Sequence, residues 1–201
     1  MKVIEQEIHS LKNSISEMWA LVHQQLYNAG EAMLTGDKEL AYKVISRERR
    51  VNAFELKIDS DCEDIIALYA PVAIDLRFVL AMYKINTNLE RLGDFAESIA
   101  RFAGNLPEGE PIDPQLVKET RVEEMLSELL SMISLTKEAF EKESSEIASR
   151  IFLKDNLIDE INHNSTAIIA KYIEEHKGSA LAGLYMASNT FRPALPSSSG
   201  K

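Results

Sequence analysis

Three short segments of this chain share one chemical form, an acid followed four residues later by aspartate: Glu55…Asp59, Glu90…Asp94 and Asp155…Asp159. On a helix that step sets two carboxylates on one face about 5–6 Å apart, near enough to chelate one cation or bridge a small cluster. Unaided, the two charges repel by about 0.2–0.5 kcal/mol, so a helix that keeps such a pair needs a basic partner or a cation. All-oxygen ligation selects hard ions such as Mg, Mn, Ca or iron. A solvated acidic face is the plain alternative, because a chain with 32 acids produces such pairs by chance. Three pairs, two of them in register across an internal repeat, bring the cation reading level with it.

The pair Glu90…Asp94 lies in DLRFVLAMYKINTNLERLGD, residues 75–94, which has the pattern of one long amphipathic helix. Its apolar residues Leu76, Val79, Leu80, Tyr83, Leu89, Leu92, Phe95 and Ile99 recur at three- and four-residue steps. At ~100° per residue, Asn86, Glu90, Asp94 and Glu97 fall within an arc of roughly 80°. Asp75 is ~22 Å along the same helix from Glu90 and cannot share its ion. It reads as an early-turn acid favoured by the helix dipole, pairing with Arg77 or with a partner. The pair Glu55…Asp59 belongs to the preceding helix, and with a turn near Pro71 Glu55 stands level with about residues 86–89. A site can therefore join the second and third helices, or the third and fifth across two halves of the chain. Gly93, inside the helix, costs about 1 kcal/mol relative to Ala and suggests a close approach there.

Helical periodicity fills the chain. The first helix covers residues 3–33, with Ile4, Ile8, Leu11, Ile15, Met18, Val22 and Ala29 in a bundle seam that Gln25 interrupts. Gly36-Asp37 makes a turn, the second helix covers 38–68, and the third ends near Ala103. Residues 104–114, GNLPEGEPIDP, admit no helix and form a linker. A fourth helix is expected over 115–142 and a fifth over 144–175, followed by a Gly178-Ser179 break and a disordered tail over 191–201. Arg50, Glu55, Ile58, Asp59 and Ala67 match Arg150, Asp155, Ile158, Asp159 and Ala167 at an offset of 100 residues. The fold class is thus all-α, two tandem antiparallel three-helix bundles over 1–103 and 115–190, the second lacking most of its third helix.

The net charge of −10 argues against nucleic acid and against docking on anionic lipid. The single cysteine, Cys62, sits among Asp61, Glu63 and Asp64, which disfavour its thiolate and fit a reducing cytoplasm. The N-terminus has no signal-peptide core, and the apolar run 65–74 is broken by Pro71 and too short to insert in a bilayer. Glu160-x-x-His163 matches half of a ferritin-type di-iron signature, and His9 and His23 read as ordinary surface or seam histidines. No catalytic residue is expected.

With those residues in view, DLRFVLAMYKINTNLERLGDFAESIA closely resembles the third helix of the PhoU family, the phosphate signalling complex proteins, with its D-L-R start and E-R-[IL]-G-D segment around Arg91. RERRVNAFELKIDSDCEDIIALYAPVA resembles that family's preceding helix, and the resemblance extends over residues 1–185. It implies two tandem three-helix bundles, a homodimer, and a cytoplasmic adaptor between a phosphate ABC transporter ATPase and a sensor histidine kinase that holds the phosphate-starvation response off. It further implies divalent or iron-type metal ions on Glu55, Asp59, Glu90, Asp94, Asp155 and Asp159, a partner or structural role for Asp75, Arg77 and Arg91, and no catalysis. The pattern departs near residue 187, where a sixth helix would continue, so an uncovered apolar groove on the fourth and fifth helices and reduced stability are expected. The rival readings are a ferritin-like di-metal carboxylate enzyme and a purely structural helical bundle.

Overall fold

The buried seam of the first helix is the frame on which the rest is laid. The computed structural model describes residues 3–107 and 112–176, with the side chains of Phe152, Leu153, Asp155 and His176 outside that description. Six helices follow in order: α1 (Val3–Thr35), α2 (Lys38–Tyr69), α3 (Ala73–Asn105), α4 (Pro114–Thr120), α5 (Val122–Glu141) and α6 (Ser145–His176). Among the described residues there is no strand. Leu11, Ile15, Met18, Val22 and Ala29 of α1 are buried, as their spacing requires. Gln25 is buried too, and its Nε2 donates to the Val44 carbonyl at 2.8 Å, so the polar residue in the seam ties α1 to α2.

Gly36 turns the chain at φ +70°, a left-handed conformation open to glycine, and Asp37 caps α2 by accepting from the Leu40 amide at 2.9 Å. Ala70 ends α2 in the left-handed region, and its amide donates to the Ile66 carbonyl. Pro71 is buried behind it, and α3 runs back antiparallel to α2. The α3 apolar residues do not share one face. Val79, Leu89 and Ile99 are buried, Leu76, Leu92 and Phe95 half-buried, and Leu80 and Tyr83 exposed. Eight apolar positions cover more of the helix circumference than α1 and α2 can cover, so part of the stripe faces outward.

The second half departs from expectation at one point. The fourth helix is two helices, α4 and α5, because Arg121 takes φ +53°. That conformation costs a non-glycine residue about 1–2 kcal/mol. At the break, the Thr120 hydroxyl donates to the Leu116 carbonyl, and the Arg121 guanidinium forks onto Glu124 at 2.7 and 2.8 Å. Leu106 and Ile112, inside the expected linker, are buried in the core.

Helix α5 packs on α1 as well as on α6, and among the described residues neither α5 nor α6 has an exposed large apolar side chain. Trp19 Nε1 of α1 donates to the Ile133 carbonyl of α5 at 3.2 Å, and its ring stacks on Phe140 at 6.0 Å. A Cβ on Gly30 would meet Leu126 Cδ2 at 2.1 Å, so only glycine admits α5 this close. One buried apolar cluster consequently runs through both halves. The Gly178-Ser179 break, the departure near residue 187 and the expected tail lie outside the described residues.

Candidate functional site

Helices α2 and α3 meet closely at Gly93, where a Cβ would stand 2.8 Å from Val51 Cγ1. That approach, foreshadowed by a glycine inside a helix, brings the flanking acids of the two helices together. Asn86, fully buried, fixes the register: its Nδ2 donates to the Glu55 carbonyl at 2.9 Å and to Asp59 Oδ1 at 2.7 Å. Both partners are acceptors, which orients the amide and leaves Asn86 Oδ1 buried without a donor. Glu55 thus stands level with residue 86, as the antiparallel register requires.

The electrostatics record how crowded the acids are. Glu90 is pushed up to about 7 by burial, then by the charges of Asp94 and Glu55, a hydrogen bond with Asp94, and the charge of Glu48. Burial also raises Glu55, with Asp59 and Asp94 adding to it. Glu48 is raised by burial, Glu97 and Asp94, while a hydrogen bond from Asn52 and the charge of Arg101 pull it back. Among the described residues Glu55, Asp59, Glu90 and Asp94 form no ion pair, whereas Glu97 is paired with Arg101 at 2.6 Å. The face therefore joins α2 to α3, and Glu48, Asn52 and Glu97 belong to it. Glu48 and Asn52 were not singled out from sequence, although Glu48, Asn52, Glu55 and Asp59 follow a 4-3-4 step along α2.

The other candidate residues lie elsewhere. Asp159 is exposed on α6, which packs on α4 and α5, and the Asp155 side chain is outside the description. Asp75, Arg77 and Arg91 are exposed. Arg77 Nε donates to the Ala73 carbonyl at 3.3 Å, and among the described residues Asp75 has no ion pair with it. Glu160 meets Arg121 at 3.4 Å, and His163 is exposed, so the half-signature of a di-iron site is turned to other work. His23 lies on the α1–α5 seam, 3.2 Å from the Ser134 hydroxyl. Cys62 is buried, and burial followed by Asp59, Asp61 and Glu63 pushes its thiol up to about 12, which keeps it inert.

A cation suits the donor chemistry of this face: four carboxylates with a surplus of negative charge, beside an orphaned amide oxygen. Among the described residues, however, no three Asp, Glu, His or Cys side chains are gathered to hold one metal ion. With the side chains as they stand, an ion would take at most two of these carboxylates and keep water in its other positions, as Mg and Mn ordinarily do.

Residues 15–103, which carry all of α2 and all but the last two residues of α3, match the PhoU domain. The chain is 33% identical over 171 residues to the phosphate-specific transport system accessory protein PhoU homolog of Aquifex aeolicus, covering 84% of this chain and 75% of that protein. It is 31% identical over 183 residues to PhoU homolog 1 of Thermotoga maritima, covering 90% and 78%. Among solved structures, PhoU from Pseudomonas aeruginosa superposes with a TM-score of 0.81 at 26% identity, covering 94% of this chain and 93% of that one. The phosphate transport system regulatory protein PhoU from Streptococcus pneumoniae gives 0.78 at 25%, covering 94% and 91%. The helical fold and these relatives agree: the chain belongs to the PhoU family.

Proposed function

We propose that this chain is a cytoplasmic accessory regulator of phosphate uptake, acting by protein contact and not by bond-making chemistry. In this reading it is an adaptor, working as a homodimer, between a phosphate ABC transporter ATPase and a sensor histidine kinase, and it holds the phosphate-starvation response off when phosphate is plentiful. Relatives named as accessory proteins of the phosphate-specific transport system support the transport half. Among the described residues no helix is long and apolar enough to cross a membrane, in keeping with a role beside a transporter and not within it.

The observation that carries the site is the crowding of Glu90 against Asp94 and Glu55 with no basic side chain among the causes of its shift. Of Glu55, Asp59, Glu90 and Asp94, two would ligate a hard divalent or iron-type cation through their carboxylates while the others offset its charge, so that its part is charge neutralisation; Asn86 keeps Asp59 in place. Asp155 and Asp159 would form a second, separate cation site on α6. Asp75, Arg77 and Arg91, all exposed, are available to partners.

The test is a phosphate-starvation reporter in cells lacking the chromosomal copy and complemented with this chain. Wild type restores repression in high phosphate, and Glu90→Ala with Asp94→Ala relieves it without lowering protein level. Unchanged repression in that double variant contradicts the role given to the acidic face.

A further inference from the structure

Helix α3 carries two stripes, and only one is fully buried inside the chain. The inner stripe, including Val79, Met82, Asn86, Leu89, Gly93 and Ala96, is buried against α1 and α2 at 3-4-3-4-3 steps. The outer stripe runs from Leu76, Leu80 and Tyr83 through Thr87 to Glu90 and Asp94, with Val72 exposed at the turn before it. Its steps are 4-3-4-3-4, the rhythm of a seam that meets another helix. Yet Leu80 is 47% exposed and Tyr83 42%, and Leu76 is half-buried. Helix α2 repeats the same polarity beside it: Glu55 and Asp59 lie on the face that Ile66, 39% exposed, continues toward the turn. The two outer rows are therefore apolar near Pro71 and acidic farther along.

We propose that this outer face of α2 and α3 docks a helical segment of a partner protein that carries apolar side chains in one half and Lys or Arg in the other. The reading rests on the adaptor role proposed above and specifies its partner. From Leu76 to Asp94 the face is ~27 Å long, and with the turn residues at its apolar end it accommodates a helix of roughly 22 residues. Charge complementarity selects the occupant. A second copy of the chain laid parallel would place acids on acids, and laid antiparallel would bury carboxylates against apolar side chains; both arrangements are costly. An anionic lipid surface is repelled by the acidic half. A basic half on the partner neutralises the same carboxylates that a cation would, so the two ligands compete.

The probes are two synthetic 22-residue helical peptides with Leu and Ile at 4-3-4 spacing in one half and Lys on the same face in the other, in both orders. Fluorescence anisotropy with the full chain in EDTA is expected to give micromolar binding for one of them. Leu80→Ser with Tyr83→Ser, and separately Glu90→Gln with Asp94→Asn, each weaken it at least tenfold. Millimolar Mn weakens it as well, and a peptide with Glu replacing Lys does not bind. Should the Ser pair unfold the chain, Tyr83→Lys alone, at an exposed position, serves the same purpose. The inference is overturned if neither peptide binds wild type, if the Ser pair binds them as wild type does, or if that pair abolishes self-association or vesicle binding instead. In the reporter cells the Ser pair should lose repression. Full repression by that pair, in cells derepressed without the chain, overturns this inference alone; cells that are not derepressed without the chain overturn the regulatory role itself.

Discussion

Replacing Glu90 by Gln removes one charge from the crowded α2–α3 face while keeping the side-chain shape. In the folded chain this carboxyl is raised from 4.5 to about 7, chiefly by burial and then by Asp94 and Glu55. Between those values the folded state binds more protons than the unfolded state, so stability falls as pH rises through the window, and the full penalty is present above the upper value. Taken whole, the displacement corresponds to ~3 kcal/mol. Glu90 is only half-buried, and solvent screening brings the expected effect to ~1 kcal/mol. Urea unfolding followed by circular dichroism, with EDTA present, should therefore give Glu90→Gln and wild type equal stability at about pH 4 and the variant an advantage of ~1 kcal/mol at about pH 8. Divalent cation should shrink that advantage by stabilising wild type through mass action. If the gap stays constant from acid to alkaline pH, Glu90 is not crowded by its neighbours and the electrostatic picture of this face is wrong.

Two further substitutions test the frame that builds the face. Gly30→Ala gains ~1 kcal/mol of helix propensity but drives Leu126 out of place, an overpacking cost of ~2–3 kcal/mol, for a net loss of ~1–2 kcal/mol. In a Leu126→Ala background the obstruction is gone, and the same change should stabilise by ~1 kcal/mol in thermal unfolding. Asn86→Ala removes the bonds to Asp59 and to the Glu55 carbonyl, costs ~1–2 kcal/mol, and lowers the urea midpoint without changing its slope.

Much of the first half was legible because its signals are local. The seam of α1, the turns at Gly36-Asp37 and Pro71 and the helical step between Glu90 and Asp94 are all set by residues within one or two turns of each other. Gly93 signalled the approach of Val51 because an unfilled position in a helix is costly unless something occupies it. The misses were long-range. Gly30 and Leu126 are 96 positions apart, and nothing near either announces that α5 packs on α1. The break at Arg121 was hidden because the apolar pattern continues through it while one backbone angle changes sign. Leu80 and Tyr83 fell in the same apolar pattern as the buried residues because spacing alone does not say which side of a doubly striped helix has a neighbour. Asn86 lay in the predicted arc, but its bonds to Glu55 and Asp59 required the relative height of two helices to within one residue.

The central claim is that the acids of α2 and α3 are gathered to receive positive charge. Calorimetric titration of the full chain with Mn at about pH 7.5 tests it most directly, comparing wild type with Glu90→Gln/Asp94→Asn. Binding by wild type that the double variant loses, with release of a fraction of a proton as Glu90 ionises, is the predicted result. Equal Mn binding by the two proteins, or none by either in a chain that also ignores Lys-bearing helices, contradicts it.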